Sequence, residues 1–260
     1  MEFSQGWDSL ATLVEGRWIE RRPRRPEVAD QLRRETRLLP WLAPSLPLPV
    51  PIPAVLTDDP LVVRHALVPG DALESPGVED GVAVGRFLRA LHGSSAAEAV
   101  RHGLIPAEQT RSSRIAEISR FQSEVVPLIP VAQQDSAQSI LDALRDFPAD
   151  TVVHGDLGPE HVLTDGGRVS GVIDFGDAHV GDAAIDLAWA LYGAPTAFAD
   201  AVADAYGVTG ELRRRALIWH QLGPWHEVVY GADIGDIAVR RSGLAGVLER
   251  LEGSAGIPLR

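Results

Sequence analysis

Two aspartates, each at the end of a short apolar run, are the residues in this chain best placed to do chemistry. Thr151, Val152 and Val153 run into His154-Gly155-Asp156, and Val169 to Ile173 run into Asp174-Phe175-Gly176. Between them lie a loop, the short run Val162-Leu163-Thr164 and a turn at Asp165-Gly166-Gly167. β-branched runs bounded by Gly and Asp read as short strands, here a hairpin-like pair with a turn between them. Each strand then delivers one carboxylate at its end, and both carboxylates can face one cavity. Such a pair suits phosphoryl transfer. One Asp accepts or orients the proton of an attacking hydroxyl, and the other holds the divalent metal that bridges the phosphates.

The register supports that chemistry. Protein kinases carry the base in H-R-D-L-x-x-x-N and the metal-binding Asp in D-F-G. Here His154-Gly155-Asp156-Leu157 leads, after three residues, to His161, and the second motif is Ile173-Asp174-Phe175-Gly176. This stretch resembles the aminoglycoside phosphotransferase family, antibiotic kinases with a protein-kinase-like fold that include macrolide phosphotransferases. Their loop usually reads H-G-D-L-x-x-x-N, followed by I-D-F or I-D-W. The resemblance implies that Asp156 is the catalytic base and that Asp174 holds Mg2+. One position departs from the pattern, because His161 stands where the family has its metal-binding Asn. Magnesium prefers hard oxygen ligands, so an imidazole is the poorer donor. His161 either assists the metal or hydrogen-bonds Asp156 and the loop backbone, and the sequence leaves both open. A D-x-x-x-D-L pattern at Asp182, Asp186 and Leu187 also matches the family, which implies that Asp186 braces the catalytic loop.

Those motifs need a phosphate-binding partner. All 24 basic side chains are arginine and there is no lysine, which closes the P-loop route to nucleotide binding and the Schiff-base route to catalysis. Gly6-Trp7-Asp8-Ser9 reads as a turn, Leu10 to Val14 as a strand, Glu15-Gly16 as a hairpin turn and Arg17 to Arg22 as the return strand. Related proteins read W-V-x-R-x-P-R-R, and this chain has Trp18-Ile19-Glu20-Arg21-Arg22-Pro23-Arg24-Arg25. The resemblance places Arg21 where the kinase lysine contacts the phosphates. Glu27 to Leu39 has helical periodicity, with Glu35 as the candidate partner of Arg21; a surface pairing with Gln31 or nearby arginines is the alternative. Residues 40–60 hold six prolines up to Pro53 and read as an extended connector rather than a helix. Strands are expected at Ala54 to Thr57 and Leu61 to His65, then a hinge from His65 to Gly70. The resemblance implies that backbone groups of His65, Ala66 and Leu67 meet the nucleobase of ATP or GTP.

Downstream, helices are expected at Asp80 to His92, through most of Pro106 to Phe147, at Ala183 to Tyr192, Pro195 to Tyr206, Gly210 to Leu222 and Ile237 to Leu251. His92 reads as a helix-end residue, Ile115, Ile118 and Phe121 as core, and the tail after Gly253 as loose. Together with these elements, the resemblance implies an α+β fold class: a protein-kinase-like bilobal fold with a small antiparallel β N-lobe and a mostly helical C-lobe. Residues 1–70 form the nucleotide-binding lobe and 71–260 the catalytic and substrate-binding lobe.

Composition sets the remaining bounds. The chain has 260 residues, 45% of them hydrophobic, enough for a sizeable core. It has no cysteine, no apolar run long enough for a bilayer and no signal-peptide pattern at Met1-Glu2-Phe3-Ser4-Gln5, so a cytoplasmic location is expected. A net charge of −12 argues against nucleic acid as a partner. It suits a small, cationic antibiotic as acceptor, although an acidic surface also maintains solubility. Glu160, Glu227, Asp233 and Asp236 are the candidate substrate-binding acids, and each also reads as an ordinary surface residue. Rival readings are a kinase for a macrolide or another hydroxylated metabolite, a nucleotide-binding pseudokinase, and a metal-dependent hydrolase built on His154, Asp156, His161 and Asp174.

Overall fold

A computed structural model describes residues 2–3 and 9–252. The expected turn at Gly6 to Asp8 and the tail after Gly253 lie outside the described residues. The chain opens with five strands in one sheet: β1 (Glu2–Phe3), β2 (Ser9–Val14), β3 (Trp18–Pro23), β4 (Ala54–Asp58) and β5 (Leu61–Ala66). Their order is β1-β2-β3-β5-β4, and every neighbouring pair is antiparallel. The hairpin turn between β2 and β3 takes positive φ at Glu15 and Gly16.

Helix α1 (Pro26–Leu42) lies against this sheet. It starts with proline in its first turn, where the missing N–H costs nothing. Val28 and Leu32 pack on Leu61 and Val63 of β5, while Leu38, Leu39 and Leu42 continue into the main core of the molecule. The helix therefore crosses the junction between sheet and helices. It also runs past Pro40, where a connector was expected, and gives way only to a 3-10 turn at Ala43–Ser45. A proline disturbs a helix through the carbonyl four residues back. Here the burial of Leu38, Leu39 and Leu42 holds the last turn around it.

The remainder is mostly helical. Two small antiparallel sheets are set into it: β6 (Asp71–Ala72), β8 (Val162–Asp165) and β9 (Arg168–Val172) form one, and β7 (Thr151–Val153) with β10 (His179–Gly181) forms the other. The helices are α2 (Val78–His92), α3 (Ala96–Arg101), α4 (Ala107–Glu124), α5 (Val131–Arg145), α6 (Ala184–Tyr192), α7 (Thr196–Tyr206), α8 (Gly210–Asp233) and α9 (Ile237–Glu252). Helix α8 runs eleven residues past the expected end at Leu222, straight through Pro224, because Trp225, Val228 and Val229 extend its buried stripe. On α4 the expectation for Ile115 fails, since it is 55% exposed. Arg114 turns inward instead, donating to the carbonyls of Phe147 and Pro148. No helix among the described residues is long and apolar enough to cross a membrane.

One crossing sets the position of the site. On α2, Gly81 and Gly85 lie one turn apart and face α7 so closely that Cβ atoms there would meet the carbonyls of Phe198 and Val202 at 2.6 and 2.7 Å. Glycine at both positions lets α7 press against α2, which brings Tyr206 and His92 within 2.9 Å at the C-terminal ends of the two helices. Gly85→Val should therefore force the helices apart. The expected loss is about 1–3 kcal/mol of stability, read as a lower urea midpoint. An unchanged midpoint would mean that the crossing tolerates the wider separation.

Candidate active site

The strand pairing differs in one respect from the hairpin expected around the two aspartates. β8 and β9 form the hairpin, while β7, which leads to Asp156, pairs with β10 in the other small sheet. The two carboxylates thus arrive on different sheets, and side chains must fix their relation.

Asp186, at the start of α6, does the first part of that work. Its carboxylate is fully buried and accepts from the backbone N–H of His154 at 2.7 Å and of Gly155 at 2.9 Å. The third contact is His92 Nε2 at 3.0 Å, and His92 Nδ1 lies 2.9 Å from the Tyr206 hydroxyl. The tautomer with Nε2–H donating to Asp186 and Nδ1 accepting from Tyr206 satisfies every group in the chain. Burial alone would push Asp186 up, but the His92 hydrogen bond, the two neighbouring imidazoles and the Gly155 N–H together hold it below the usual carboxylate value. His92 is thus part of the brace and not merely a helix end. Gly155 itself has φ +88°, and a side chain there would strike the Asp177 carbonyl.

Two imidazoles then join the halves of the site. His154, fully buried, donates from Nε2 to the Ile173 carbonyl at 2.9 Å and accepts at Nδ1 from the Asp156 N–H at 3.3 Å. Burial lowers its pKa and keeps it neutral for both bonds. His161 donates from Nδ1 to the Asp156 carbonyl at 2.7 Å, and its own carbonyl accepts from Ile173 N–H at 2.9 Å. The His161 ring lies between the two carboxylates, with Nδ1 3.8 Å from Asp156 Oδ2 and Nε2 3.8 Å from Asp174 Oδ2. Asp174 holds φ +65°, a left-handed conformation that Asp tolerates better than most side chains. Both carboxylates open to solvent. Desolvation by the surrounding chain, with the charges of Asp177, Glu160 and Asp174, pushes Asp156 up to about 6 against the pull of His161.

Arg21 of β3 reaches the same place from the sheet. Nη1 donates to Glu35 Oε2 at 2.7 Å, Nε donates to Ser9 Oγ at 3.0 Å, and Nη2 lies 4.0 Å from Asp174 Oδ1. Glu35 is buried on α1, and burial pushes its carboxyl up while Arg21 pulls it back. Its second oxygen, Oε1, has no hydrogen-bond partner. The surface pairing with Gln31 does not form; the Gln31 amide instead abuts Gly176. At the expected hinge, His65 is buried with Nδ1 2.8 Å from the Ala66 carbonyl, and burial lowers its pKa. Ala66 and Leu67 are exposed, and the Leu67 N–H donates to the Arg17 carbonyl at 2.8 Å.

The four candidate substrate acids are spread out. Glu160 lies in the catalytic loop, where its charge is felt at Asp156 and its carboxylate sits over Gly158. Glu227 is exposed on α8, and Asp233 at the end of α8 pairs with Arg120. Asp236 caps α9, accepting from the N–H groups of Ala238 and Val239 at 2.8 and 3.1 Å. No group of three or more His, Asp or Glu side chains among the described residues is arranged to hold a metal by itself. Magnesium binds through one or two carboxylates together with substrate phosphates rather than in an all-protein cage. Asp174 offers the hard oxygen. His161 offers a nitrogen, since Nδ1 is taken by the Asp156 carbonyl and Nε2 is turned to Asp174.

An antiparallel sheet, a crossing helix that pairs Glu35 with Arg21, and paired loop aspartates on a helical platform define a protein of the kinase-like class. Residues 1–218 match the phosphotransferase enzyme family, and the chain belongs to it. Its relatives include the viomycin phosphotransferase of Streptomyces vinaceus, 36% identical over a segment covering 51% of this chain and 50% of the relative. The chain thus matches about half the length of that protein. The structure of APH(2")-IIIa in complex with GDP and kanamycin superposes with a TM-score of 0.85 at 22% identity, covering 97% of this chain and 93% of the other. The macrolide 2'-phosphotransferase MphH of Brachybacterium faecium superposes with a TM-score of 0.74 at 25% identity, covering 95% and 90%.

The sequence pointed to Asp186 but gave no sign of His92, which lies 94 residues away in the chain. Asp186→Ala would leave two buried N–H groups and the His92 ring without their acceptor. Such a break in a buried polar network costs about 3–5 kcal/mol. Thermal and urea unfolding should register that loss, with Asp186→Asn intermediate. A near-neutral effect would show that water replaces the carboxylate.

Proposed function

We propose that this protein is a small-molecule kinase that transfers the γ-phosphate of ATP or GTP to a hydroxyl of a cationic antibiotic, with an aminoglycoside as the favoured acceptor. The observation that carries this reading is the convergence of Asp156, Asp174, His161 and Arg21 on one solvent-open place. Asp156 orients the acceptor hydroxyl and takes its proton. Arg21, its fork fixed by Glu35 and Ser9, contacts the nucleotide phosphates, and arginine presents a geometry suited to phosphate oxygens. The backbone at His65, Ala66 and Leu67 receives the nucleobase. Asp174, with His161 beside it, holds Mg2+, which when bound neutralises charge on the phosphates. Catalysis then rests on positioning and charge stabilisation.

Electrostatics supports a cationic acceptor. Asp156, Glu160, Asp174 and Asp177 outnumber Arg21, the arginine beside them at the site. Of the four candidate acids Glu160 is the one whose charge reaches Asp156, while Asp233 and Asp236 are engaged with Arg120 and the start of α9 and Glu227 is exposed on α8. Residues 1–70 serve as the nucleotide lobe and 71–260 as the catalytic and acceptor lobe in this reading, with activity in the cytoplasm. The macrolide alternative requires an acceptor site of more apolar character.

Nucleotide-diphosphate release in the presence of ATP or GTP, Mg2+ and a panel of aminoglycosides, macrolides and peptide antibiotics tests the proposal. Release stimulated by one antibiotic class is the expected result; nucleotide binding without stimulation by any acceptor would favour the pseudokinase. Asp156→Ala should cut turnover by about 100- to 10,000-fold while nucleotide affinity stays near that of the parent chain, and retained turnover would remove Asp156 from the role of base.

The raised pKa of Asp156 sets the pH profile. A base must be deprotonated, and this one is protonated below about 6. With Asp156 as the sole titrating base, kcat/KM should fall about tenfold per pH unit below that value and level off above it. A profile flat from pH 5 to 8 would contradict the assignment.

A further inference from the structure

The outer face of α1 carries a second place where charge has been left without a partner. Asp30, Arg33, Arg34, Thr36 and Arg37 line a cavity of about 640 Å³ together with Val55 of β4. A volume of this size accommodates a small organic molecule. Arg33 is tied to the carboxylate of Asp58 across the cavity wall, so its charge is spent. The Thr36 hydroxyl donates to the Arg33 carbonyl at 2.9 Å and belongs to the same wall.

Arg34 and Arg37 differ from Arg33. Neither has a hydrogen bond or ion pair with any described residue. They lie three positions apart on the helix and are therefore neighbours on its surface. The Arg37 guanidinium rests against Gly103 in the connection after α3, where a Cβ would lie 3.0 Å from it. Asp30 is the only acid in the lining, against two unspent guanidinium groups, on a chain whose net charge is −12. Two arginines that find no internal acid on such a protein form a ready receptor for phosphate oxygens. Val55, 46% exposed, adds an apolar wall beside them.

We propose that this cavity binds a small phosphorylated organic molecule, with its phosphate between Arg34 and Arg37 and its apolar part on Val55. The site is separate from Arg21, whose guanidinium is engaged with Glu35 and Ser9 on the other side of α1. The two are nevertheless linked through the helix, because Glu35 follows Arg34 directly in sequence and feels its charge. An anion seated on Arg34 would alter the field at the Arg21–Glu35 pair without touching the nucleotide.

Phenyl phosphate is a suitable probe, and calorimetric titration of the full chain, with ADP and Mg2+ held at saturation, is the experiment. Saturable binding that persists under ADP is the expected result, weakened at least about tenfold in Arg34→Gln/Arg37→Gln. Inorganic phosphate, lacking the apolar part, should bind more weakly and be lost in the same double variant. Both side chains are free of bonds, so the variant should keep the parent's unfolding midpoint, which verifies that it is folded. Binding abolished by ADP would place the probe at the nucleotide site and overturn the proposal. Equal affinity in the parent and the double variant would overturn it as well, and equal affinity for the two probes would remove the role of Val55.

Discussion

The carboxylate of Asp186 holds two adjacent backbone N–H groups, those of His154 and Gly155, inside the protein. A buried carboxylate is costly unless its oxygens are fully satisfied, and here both are. That double grip fixes the peptide just before Asp156 and leaves little freedom in where the proposed base can point. The grip itself is held from behind by His92 and Tyr206, and these depend on the close approach of α2 and α7 at Gly81 and Gly85. A helix crossing some distance from any substrate thus sets the geometry of the carboxylate.

In the proposed roles, a chain without lysine or asparagine uses Arg21 and His161 at the positions where the resemblance implies those residues. Arg21 replaces a flexible ammonium with a planar fork, and that fork is fixed on two sides by Glu35 and Ser9. His161 replaces an amide with a ring that donates to the Asp156 carbonyl and turns its other nitrogen to Asp174. The exchange trades a hard oxygen for a nitrogen but adds rigidity, since the imidazole joins the base loop to the strand that delivers Asp174. Desolvation by the surrounding chain, helped by the nearby acids Asp177, Glu160 and Asp174, raises the Asp156 carboxyl against the pull of His161.

Much of this arrangement was legible in the residues. The spacing of His154, Asp156, His161 and Asp174 carries the site because those residues are close in sequence, and the Arg21–Glu35 pair followed from a strand and the next helix. What could not be read depends on contacts between distant segments. The pairing of β7 with β10, and not with the hairpin, leaves no mark in either strand. His92 looks like any helix-terminal histidine until α6 is placed beside it. Helices α1 and α8 continue through Pro40 and Pro224 because burial of the flanking side chains outweighs the local cost of proline. Ile115 lies outward because Arg114 claims the interior to bind two carbonyls, a role that its residue type does not advertise.

The placement of β7 and β9 on separate small sheets has a consequence for the order of folding. The side-chain bonds made by the aspartate loop itself span short stretches of chain, 5 residues for His161 to Asp156, 19 for His154 to Ile173 and 32 for Asp186 to His154, and the His92 brace behind them, 94 residues from Asp186, comes from farther away. The Arg21–Glu35 pair spans 14. Contacts of small sequence separation form with little loss of loop entropy, so each half of the centre can assemble by itself. Arg21 and Asp174, in contrast, are 174 − 21 = 153 residues apart and meet only when the sheet and helices dock. The approach of Arg21 to Asp174 should therefore form late in refolding, after both halves have already acquired their internal bonds.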